Sequence, residues 1–323
     1  MGNPIAIVGA GLTGLVAARA LSERGRSVVV FDKGRRPGGR MSTRTHPEPH
    51  RFDHGAQMFT TRDPAFAAAV AGWRSEGWVE AWAPRVGKVE AGELVEKAGE
   101  GAELFVGVPS MQSLLQELSS GLDVRSSTEI VSAELAASSA STTLVDAEGA
   151  RLGPFSAVGL TAPAPQSARL AKARPELSAR LSSLGYAPTW ALLAAFDVPL
   201  MVPFDLVSGD DRTFRTLARD SAKPGRPAGE RWVAHASDAW TEAHLEEDRE
   251  EVATALVGGL EALLGARPSY AVAHRWRYAT PAFAPCGVIG EGSWCWAGDG
   301  SFAPKVEGAY LAGCALADSL ESV

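Results

Sequence analysis

Residues 5–14, Ile-Ala-Ile-Val-Gly-Ala-Gly-Leu-Thr-Gly, restrict the fold more than any other stretch. A short β-branched run leads into Gly9-Ala10-Gly11-Leu12-Thr13-Gly14, and a helical pattern follows from Leu15 to Ser22. Gly25 suits the position just past a helix C-terminus. A second apolar run, Val28 to Phe31, ends at Asp32, with Lys33 behind it. Strand, glycine turn, helix, strand and acid, in that order, are the parts of a dinucleotide site. Gly9 permits the tight turn, Gly11 lets the backbone approach a pyrophosphate, and Gly14 lets the helix pack closely on the strand. The helix N-terminus, with Leu12 and Thr13 in its first turn, offers N–H groups and a partial positive charge to the phosphates. Asp32 is placed to accept hydrogen bonds from a ribose, with Lys33 as its neighbour at the cofactor. This stretch leaves both NAD(P) and FAD open.

The 323 residues allow one large domain or two modest ones. Hydrophobic residues make up 46% and charged residues 21%, enough apolar material for a sizeable core. A net charge of −7 argues against a nucleic-acid surface. No run of about 18 apolar residues is present, so no membrane span is expected. The first apolar stretch is already a strand and no basic region precedes it, so no secretory leader is expected. Cys286, Cys295 and Cys314 lack metal-ligand spacing, which fits free thiols, no metal site and a reducing, cytoplasmic setting.

A second glycine loop follows, Lys33-Gly34-Arg35-Arg36-Pro37-Gly38-Gly39-Arg40-Met41. Gly38 and Gly39 allow close backbone approach, and Arg40 can neutralise a pyrophosphate with a directed fork. A simple NAD site has no use for this loop, whereas a flavin site of the glutathione-reductase-like class does. In Phe52-Asp53-His54-Gly55-Ala56-Gln57-Met58-Phe59, the small residues Gly55 and Ala56 would let a planar ring lie against the backbone. Gln57 could bond that ring or a substrate, and His54 reads as a structural hydrogen-bonding residue.

The pattern predicts a helix over 64–76 capped by Asp63, and short strands over 85–106 with turns at Val86-Gly87 and Ala91-Gly92. A helix from Met111 to about Ser119, a strand pair within 123–133 and a hairpin over 142–149 follow. The run Phe155 to Leu160 ends at Thr161-Ala162-Pro163, the end of a strand where α/β ligands sit. Between about 166 and 271 a helical stretch (166–183), a central strand (188–196), a strand (232–236) and an amphipathic helix (242–264) are expected. The basic residues Arg212, Arg215, Arg219, Lys223 and Arg226 are candidates for steering substrate phosphates.

In the strand 272–279, Arg275, Arg277 and Ala279 share one face, and His274, Trp276 and Tyr278 the other. An aromatic face beside a flavin could sandwich a flat substrate. Trp294 to Gly300 reads as a strand ending in Gly298-Asp299, and a helix over 307–320 opens with Glu307-Gly308-Ala309. Asp299 can bond a ribityl hydroxyl or order water beside the pyrophosphate. The helix would aim its dipole at the flavin pyrimidine edge, which becomes anionic on reduction.

With both ends assigned, the chain resembles the renalase-like bacterial flavoproteins, relatives of the flavin amine oxidases. The residues that carry the likeness are Gly9–Gly14 with Asp32, Gly38 to Ser42, Asp53 to Gln57, Gly107 to Met111, Pro188 to Ala191, His274 to Ala279, and Gly298-Asp299 with Val306 to Ala309. Asp32 departs from the glutamate of many relatives. The resemblance implies non-covalent FAD, an adenine-side contact from the backbone of Ile130, and Thr161 and Ala162 close to the cofactor. It implies an oxidase of the 2- or 6-dihydro isomers of NAD(P)H, passing hydride to flavin N5 and then electrons to O2, with hydrogen peroxide as product. A dihydropyridine gives up hydride without losing a proton, so the site needs orientation and a flat apolar cleft more than an acid–base pair. Gln57, Trp190, Trp276 and Tyr278 are the candidates for orienting such a small-molecule substrate. The rival readings are a flavin amine oxidase, an isoprenoid desaturase and a non-catalytic flavin-binding redox sensor.

The expected architecture is α/β. A Rossmann-type FAD-binding domain would comprise 1–61, 105–170 and 268–323. A second, mixed-sheet α+β substrate domain would comprise 62–104 and 171–267, in a monomer or homodimer.

Overall fold

The computed structural model describes residues 2–45, 50–97, 101–136, 141–209 and 212–322. The first sheet has six strands in the order Ile289–Glu291, Trp294–Trp296, Ala157–Leu160, Ile5–Val8, Val28–Phe31, Asp123–Arg125. Its pairings are parallel except at the Ile289–Glu291 edge. All four residues of Ile5–Val8 are buried, because both faces of the sheet are covered. On one side Ile5 and Ile7 share a core with helices Leu12–Glu23 and Val306–Glu321. On the other, Ala6 and Val8 meet the three-stranded sheet 130–155 and the helices Ala164–Leu170 and Pro175–Ser182.

The second sheet has seven strands, in the order Tyr270–Pro281, Tyr186–Phe196, Glu230–Ala236, Phe214–Arg219, Leu206–Ser208, Val86–Glu90, Glu93–Glu96. One pairing, Leu206–Ser208 with Val86–Glu90, is parallel and the rest are antiparallel. Helix Arg249–Leu264 buries Val252, Leu256 and Leu260 against one face, beside Trp190, Leu192 and Trp232. The opposite face carries Leu193, Ala195 and Val233, packed on Phe52 of the strand Arg51–Asp53. No helix of the described residues is long and apolar enough to cross a membrane.

Several local expectations are corrected. Tyr270–Pro281, expected with the cofactor-binding part, is hydrogen-bonded along Tyr186–Phe196 in the second sheet. Pro64–Ser75 and Val79–Trp82 go the other way. Phe66, Val70, Trp73 and Val79 share the core of Leu15 and Leu316, and Val79–Trp82 pairs with Leu104–Gly107. Val86-Gly87 lies inside a strand. The turn forms only at Ala91-Gly92, both at positive φ (52° and 87°). The strand pair within 123–133 does not form, because Asp123–Arg125 pairs with Val28–Phe31 and Ile130–Leu135 with Thr142–Asp146. The helix predicted over 242–264 is two, Asp238–Ala243 and Arg249–Leu264. The Asp248 carboxylate accepts from Glu250 N at 2.7 Å and starts the second afresh. Likewise Pro175, which has no N–H to donate, opens a new helix inside 166–183.

Gly14 shows how tightly the first helix sits on its strand. A Cβ there would fall 2.0 Å from Gly9 O and 2.9 Å from Thr161 Oγ1. Gly14→Ala should therefore destabilise the protein by about 3 kcal/mol, the upper end of overpacking costs. Gly258→Ala, at an exposed helical position with nothing within 4 Å, should stabilise it by up to about 1 kcal/mol. Urea unfolding of the two variants beside the parent reads both signs.

Candidate flavin and substrate site

Two helix N-termini meet at the end of the six-stranded sheet. Gly9 turns the chain at φ 116°, a conformation that requires glycine, and its N–H donates to Phe31 O at 2.8 Å. Gly11 then starts helix Leu12–Glu23 with no side-chain cap. A Cβ on Gly11 would meet nothing closer than Gly39 Cα at 4.0 Å, so the space in front of these N–H groups is open. Helix Val306–Glu321 also begins without a side-chain cap. Thr13 Oγ1 donates to Ala309 O at 2.9 Å and holds the two ends side by side. Uncapped N–H groups on two adjacent helices, with open space before one of them, fit an anionic dinucleotide. The Glu307 carboxylate accepts from the Arg62 and Asp63 N–H groups at 2.6 and 2.7 Å, leaving its backbone to the cofactor.

The adenosine-side expectations converge on Asp32. Its Oδ2 accepts from Ala10 N and its Oδ1 from Gly34 N, both at 2.6 Å. Burial raises its pKa above the ordinary carboxylate value, against those two bonds. A carboxylate has about four lone-pair sites, so room remains for ribose hydroxyls. Asp32 N donates to Arg125 O and Thr128 N to Asp32 O, which brings the segment ending at Ile130 alongside. Lys33 is exposed beside it. Thr161 Oγ1 donates to Val8 O and Gly9 O at 3.1 and 3.0 Å, so Thr161 and Ala162 abut the glycine turn.

Arg40 departs from expectation. Its fork is bidentate on Asp299, at 2.9 and 2.8 Å, and also donates to Ala279 O at 3.1 Å. Arg40 and Asp299 therefore present a charge-balanced pair that ties the second glycine loop to Gly298-Asp299. The Met41 side chain is buried in the core around Leu15 and leaves only its backbone to a ligand.

Gly55, Ala56 and Trp276 do come together. Ala56 N donates to Arg40 O at 2.9 Å. A Cβ on Gly55 would lie 2.0 Å from Arg40 O and 3.4 Å from Trp276 Cζ2. Trp276 Nε1 donates to His54 O at 2.9 Å, and the two rings stack with centroids 4.9 Å apart. His274 stands edge-on to both at 4.6 Å. Tyr278 sits farther along, its hydroxyl accepting from Arg169 at 3.1 Å and its ring 6.1 Å from Tyr186.

Trp190 does not join this group. It lies across from Arg275, on the opposite face of the sheet from Trp276, is 2% exposed, and donates through Nε1 to His244 O. Strand periodicity alone puts it in the helix-covered core. Gln57 is likewise turned away, into a buried ionic cluster. Lys223 Nζ lies 2.7 Å from Asp220 Oδ1, 3.0 Å from Gln57 Oε1 and 3.5 Å from Asp53 Oδ2. Arg226 meets Asp53 Oδ2 at 2.5 Å and Gly107 O at 2.8 Å. Burial pushes the Asp53 carboxyl up, but Lys223 and Arg226 outweigh it and hold it below its usual value. Burial raises Asp220 further than Lys223 can pull it back.

Four of the five residues of the basic segment are thus committed to acidic partners. Lys223 and Arg226 are committed to Asp53 and Asp220, Arg219 to Asp205 and Glu230, and Arg215 to Asp238. No sequence signal marks this cluster, because Lys223 and Arg226 lie 170 and 173 positions from Asp53.

Residues 7–71 match the NAD(P)-binding Rossmann-like domain, and residues 88–323 match the flavin-containing amine oxidoreductases. The chain belongs to the flavin-containing amine oxidoreductase family. It is an FAD-binding oxidoreductase. Among solved structures of this amine oxidoreductase fold, putrescine oxidase bound to putrescine superposes with a TM-score of 0.76 over 100% of both chains at 14% identity. Cyclohexylamine oxidase from Brevibacterium oxydans IH-35A gives 0.77 over 99% of this chain and 100% of that one at 13% identity. Local matches join it to phytoene desaturase (neurosporene-forming) of Rhodobacter capsulatus, 46% identical over 63 residues, 20% of this chain and 12% of that protein. Flavin-containing monooxygenase FMO GS-OX-like 7 of Arabidopsis thaliana is 49% identical over 47 residues, 15% of this chain and 10% of that one. These two matches cover only about a tenth of either relative's length.

Burial pushes His54 down to about 3, and His235 and His274 to about 4. All three are neutral at pH 7 and are weak proton acceptors. In the unfolded chain each titrates near 6.5. Between about pH 4 and 6.5 the unfolded state therefore binds more protons, and acidification from pH 7 favours unfolding. Each histidine contributes up to about 1.4 kcal/mol per pH unit in that window. Urea midpoints measured from pH 7 to 4.5 should fall steadily. His274→Phe should flatten the slope by about one proton.

Proposed function

We propose that this oxidoreductase oxidises the 2- or 6-dihydro isomers of NAD(P)H to NAD(P)+, with O2 as final acceptor and hydrogen peroxide as product. What carries the reading is the uncharged ring cluster beside Gly55, in which Trp276 stacks on His54 and His274 stands edge-on to both. FAD, when bound, supplies a two-electron acceptor that passes its electrons on. The chain's own residues then have to bind, orient and exclude water. A dihydropyridine becomes aromatic as it gives up hydride, so no strong base is needed, and the three low-basicity histidines provide none. Trp276 and His274 give a flat ring something to stack on. After burial, the charges of Arg44 and Arg249 lower the His274 pKa. Asp53 and Asp299, on the adjoining loops, are already ion-paired.

In the resulting assignment, the Gly9–Gly14 turn and the N-terminus of helix Leu12–Glu23 hold the cofactor phosphates, non-covalently, and the N-terminus of helix Val306–Glu321 faces the flavin pyrimidine edge. Asp32 with the Ile130 backbone holds the adenosine, and the Arg40–Asp299 pair fixes the loop between them. Oxidation of an amine is the second reading. The family as a whole and the Tyr186–Tyr278 pair, which with Trp276 could cage a neutral amine, favour it.

Anaerobic stopped-flow separates the two. Bleaching of the visible flavin band is followed after mixing with 2-dihydro-NADH, 6-dihydro-NADH, ordinary NADH, putrescine or cyclohexylamine. Rapid reduction by a dihydro isomer, with the amines inert, is the expected outcome and identifies the isomer. Reduction by amines alone would replace this reading with the second. Inertness to every donor would leave a redox sensor or a desaturase.

A further inference from the structure

Lys223 has a fully buried side chain on the second sheet's side of the molecule, yet two of its three polar partners, Asp53 and Gln57, flank the Gly55-Ala56 turn next to the cleft, the third being Asp220 on its own segment. An ammonium donates and cannot accept. Only the oxygen of the Gln57 amide can therefore face it, and the Gln57 Nε2 must point the other way. There it donates to the Asp53 and Gly55 carbonyl oxygens, the latter at 3.0 Å. The Gly55 carbonyl is thus held from one side while Ala56 N–H is held by Arg40 O from the other. Gly55 itself is wedged between Arg40 O and the Trp276 ring.

We propose that Lys223 and Gln57 are positioning residues, a buried relay that sets the Gly55-Ala56 turn against the flavin ring. The relay is referenced to both parts of the molecule. Asp53 is fixed by Met111 N at 3.1 Å and Thr43 Oγ1 at 2.6 Å, and Arg226 links it to the Gly107 carbonyl. Stability alone does not account for such a cluster. Several buried charges cost several kcal/mol each to desolvate, and well-packed apolar residues of similar volume often serve as well or better. Fixed geometry is what apolar packing would not provide, because a carbonyl needs a directed donor to hold its plane. The proposal rests on FAD lying beside Gly55 and is indifferent to which reductant the enzyme uses.

Gln57→Met tests it, since the change removes both ends of the relay and leaves Lys223 paired with Asp220 and Asp53. FAD affinity, the visible circular dichroism of the bound flavin, and the flavin midpoint potential by equilibrium reduction with xanthine and xanthine oxidase are measured, none of which needs the physiological substrate. The expected result is an FAD dissociation constant within about threefold of the parent and an altered dichroism band. The reduction equilibrium should move at least tenfold, about 30 mV for a two-electron couple. Reduction by whichever donor serves the parent should slow roughly 10- to 100-fold, as a displacement of about 1 Å would cause. Lys223→Met should change the potential in the same direction. If it does not fold, Gln57→Met still decides. A Gln57→Met protein with parental dichroism and potential, altered only in melting temperature, makes the cluster purely structural and overturns the proposal. A failure of the dihydronicotinamide reading would show instead in the unaltered protein, as inertness to both isomers.

Discussion

The hydroxyl of Thr13 donates to the carbonyl of Ala309, and around that bond the two ends of the chain meet. The contact is possible because Gly313 carries no side chain. A Cβ there would lie 2.7 Å from both Thr13 O and Val16 Cβ. Close approach of helices Leu12–Glu23 and Val306–Glu321 sets their uncapped N-termini side by side, and the other candidate cofactor-binding segments are arranged around that pair. The six-stranded sheet supports both helices from below. Gly38-Gly39 is drawn in by Gly38 N to Ala10 O, and Gly298-Asp299 by the Arg40 fork.

Charge is then balanced residue by residue around the cleft. Arg40 is paired with Asp299, Asp53 with Lys223 and Arg226, and Glu307 with two backbone N–H groups. With these side chains paired, the field that a flavin meets owes more to oriented backbone, the helix ends above all, than to any single free ion. Backbone dipoles in a packed fold do not reorganise when charge develops, which suits a site whose ring becomes anionic on reduction. It also makes the exact placing of turns such as Gly55-Ala56 matter more than the identity of a nearby side chain.

The parts of the site legible in the sequence are those whose geometry is local. A glycine turn, the acid that ends the next strand and the residues that open a helix each act within a few positions of themselves. Gly9–Gly14, Asp32, Gly39 and Gly308 fall where their spacing predicts. Side chains whose direction depends on distant partners were not legible. Gln57 sits two residues from Gly55, yet its amide is oriented by Lys223, 166 positions away in sequence. Trp190 reads as an aromatic near the cleft until its alternation with Leu192 and Ala194 and its pairing with Arg275 assign it to the helix-covered face. The basic run looked available because its acids, Asp53, Asp205 and Asp238, come from other segments.

Substrate choice follows the same division. The chain shares its whole fold with putrescine and cyclohexylamine oxidases at 13–14% identity, and a fold held in common across so much sequence change does not carry one chemistry. In this chain the substrate-side candidates are the few side chains on the cleft face of the second sheet. Here those include His274, Trp276 and Tyr278, with the neutral His54 imidazole packed on the first two and the adjoining carboxylates ion-paired. A cation entering such a surface gives up its hydration without gaining a free counter-charge, whereas a neutral ring gives up little and gains stacking. On the proposed reading, the electrostatics of these side chains, more than the architecture that holds them, would separate an oxidant of flat neutral donors from an oxidant of amines.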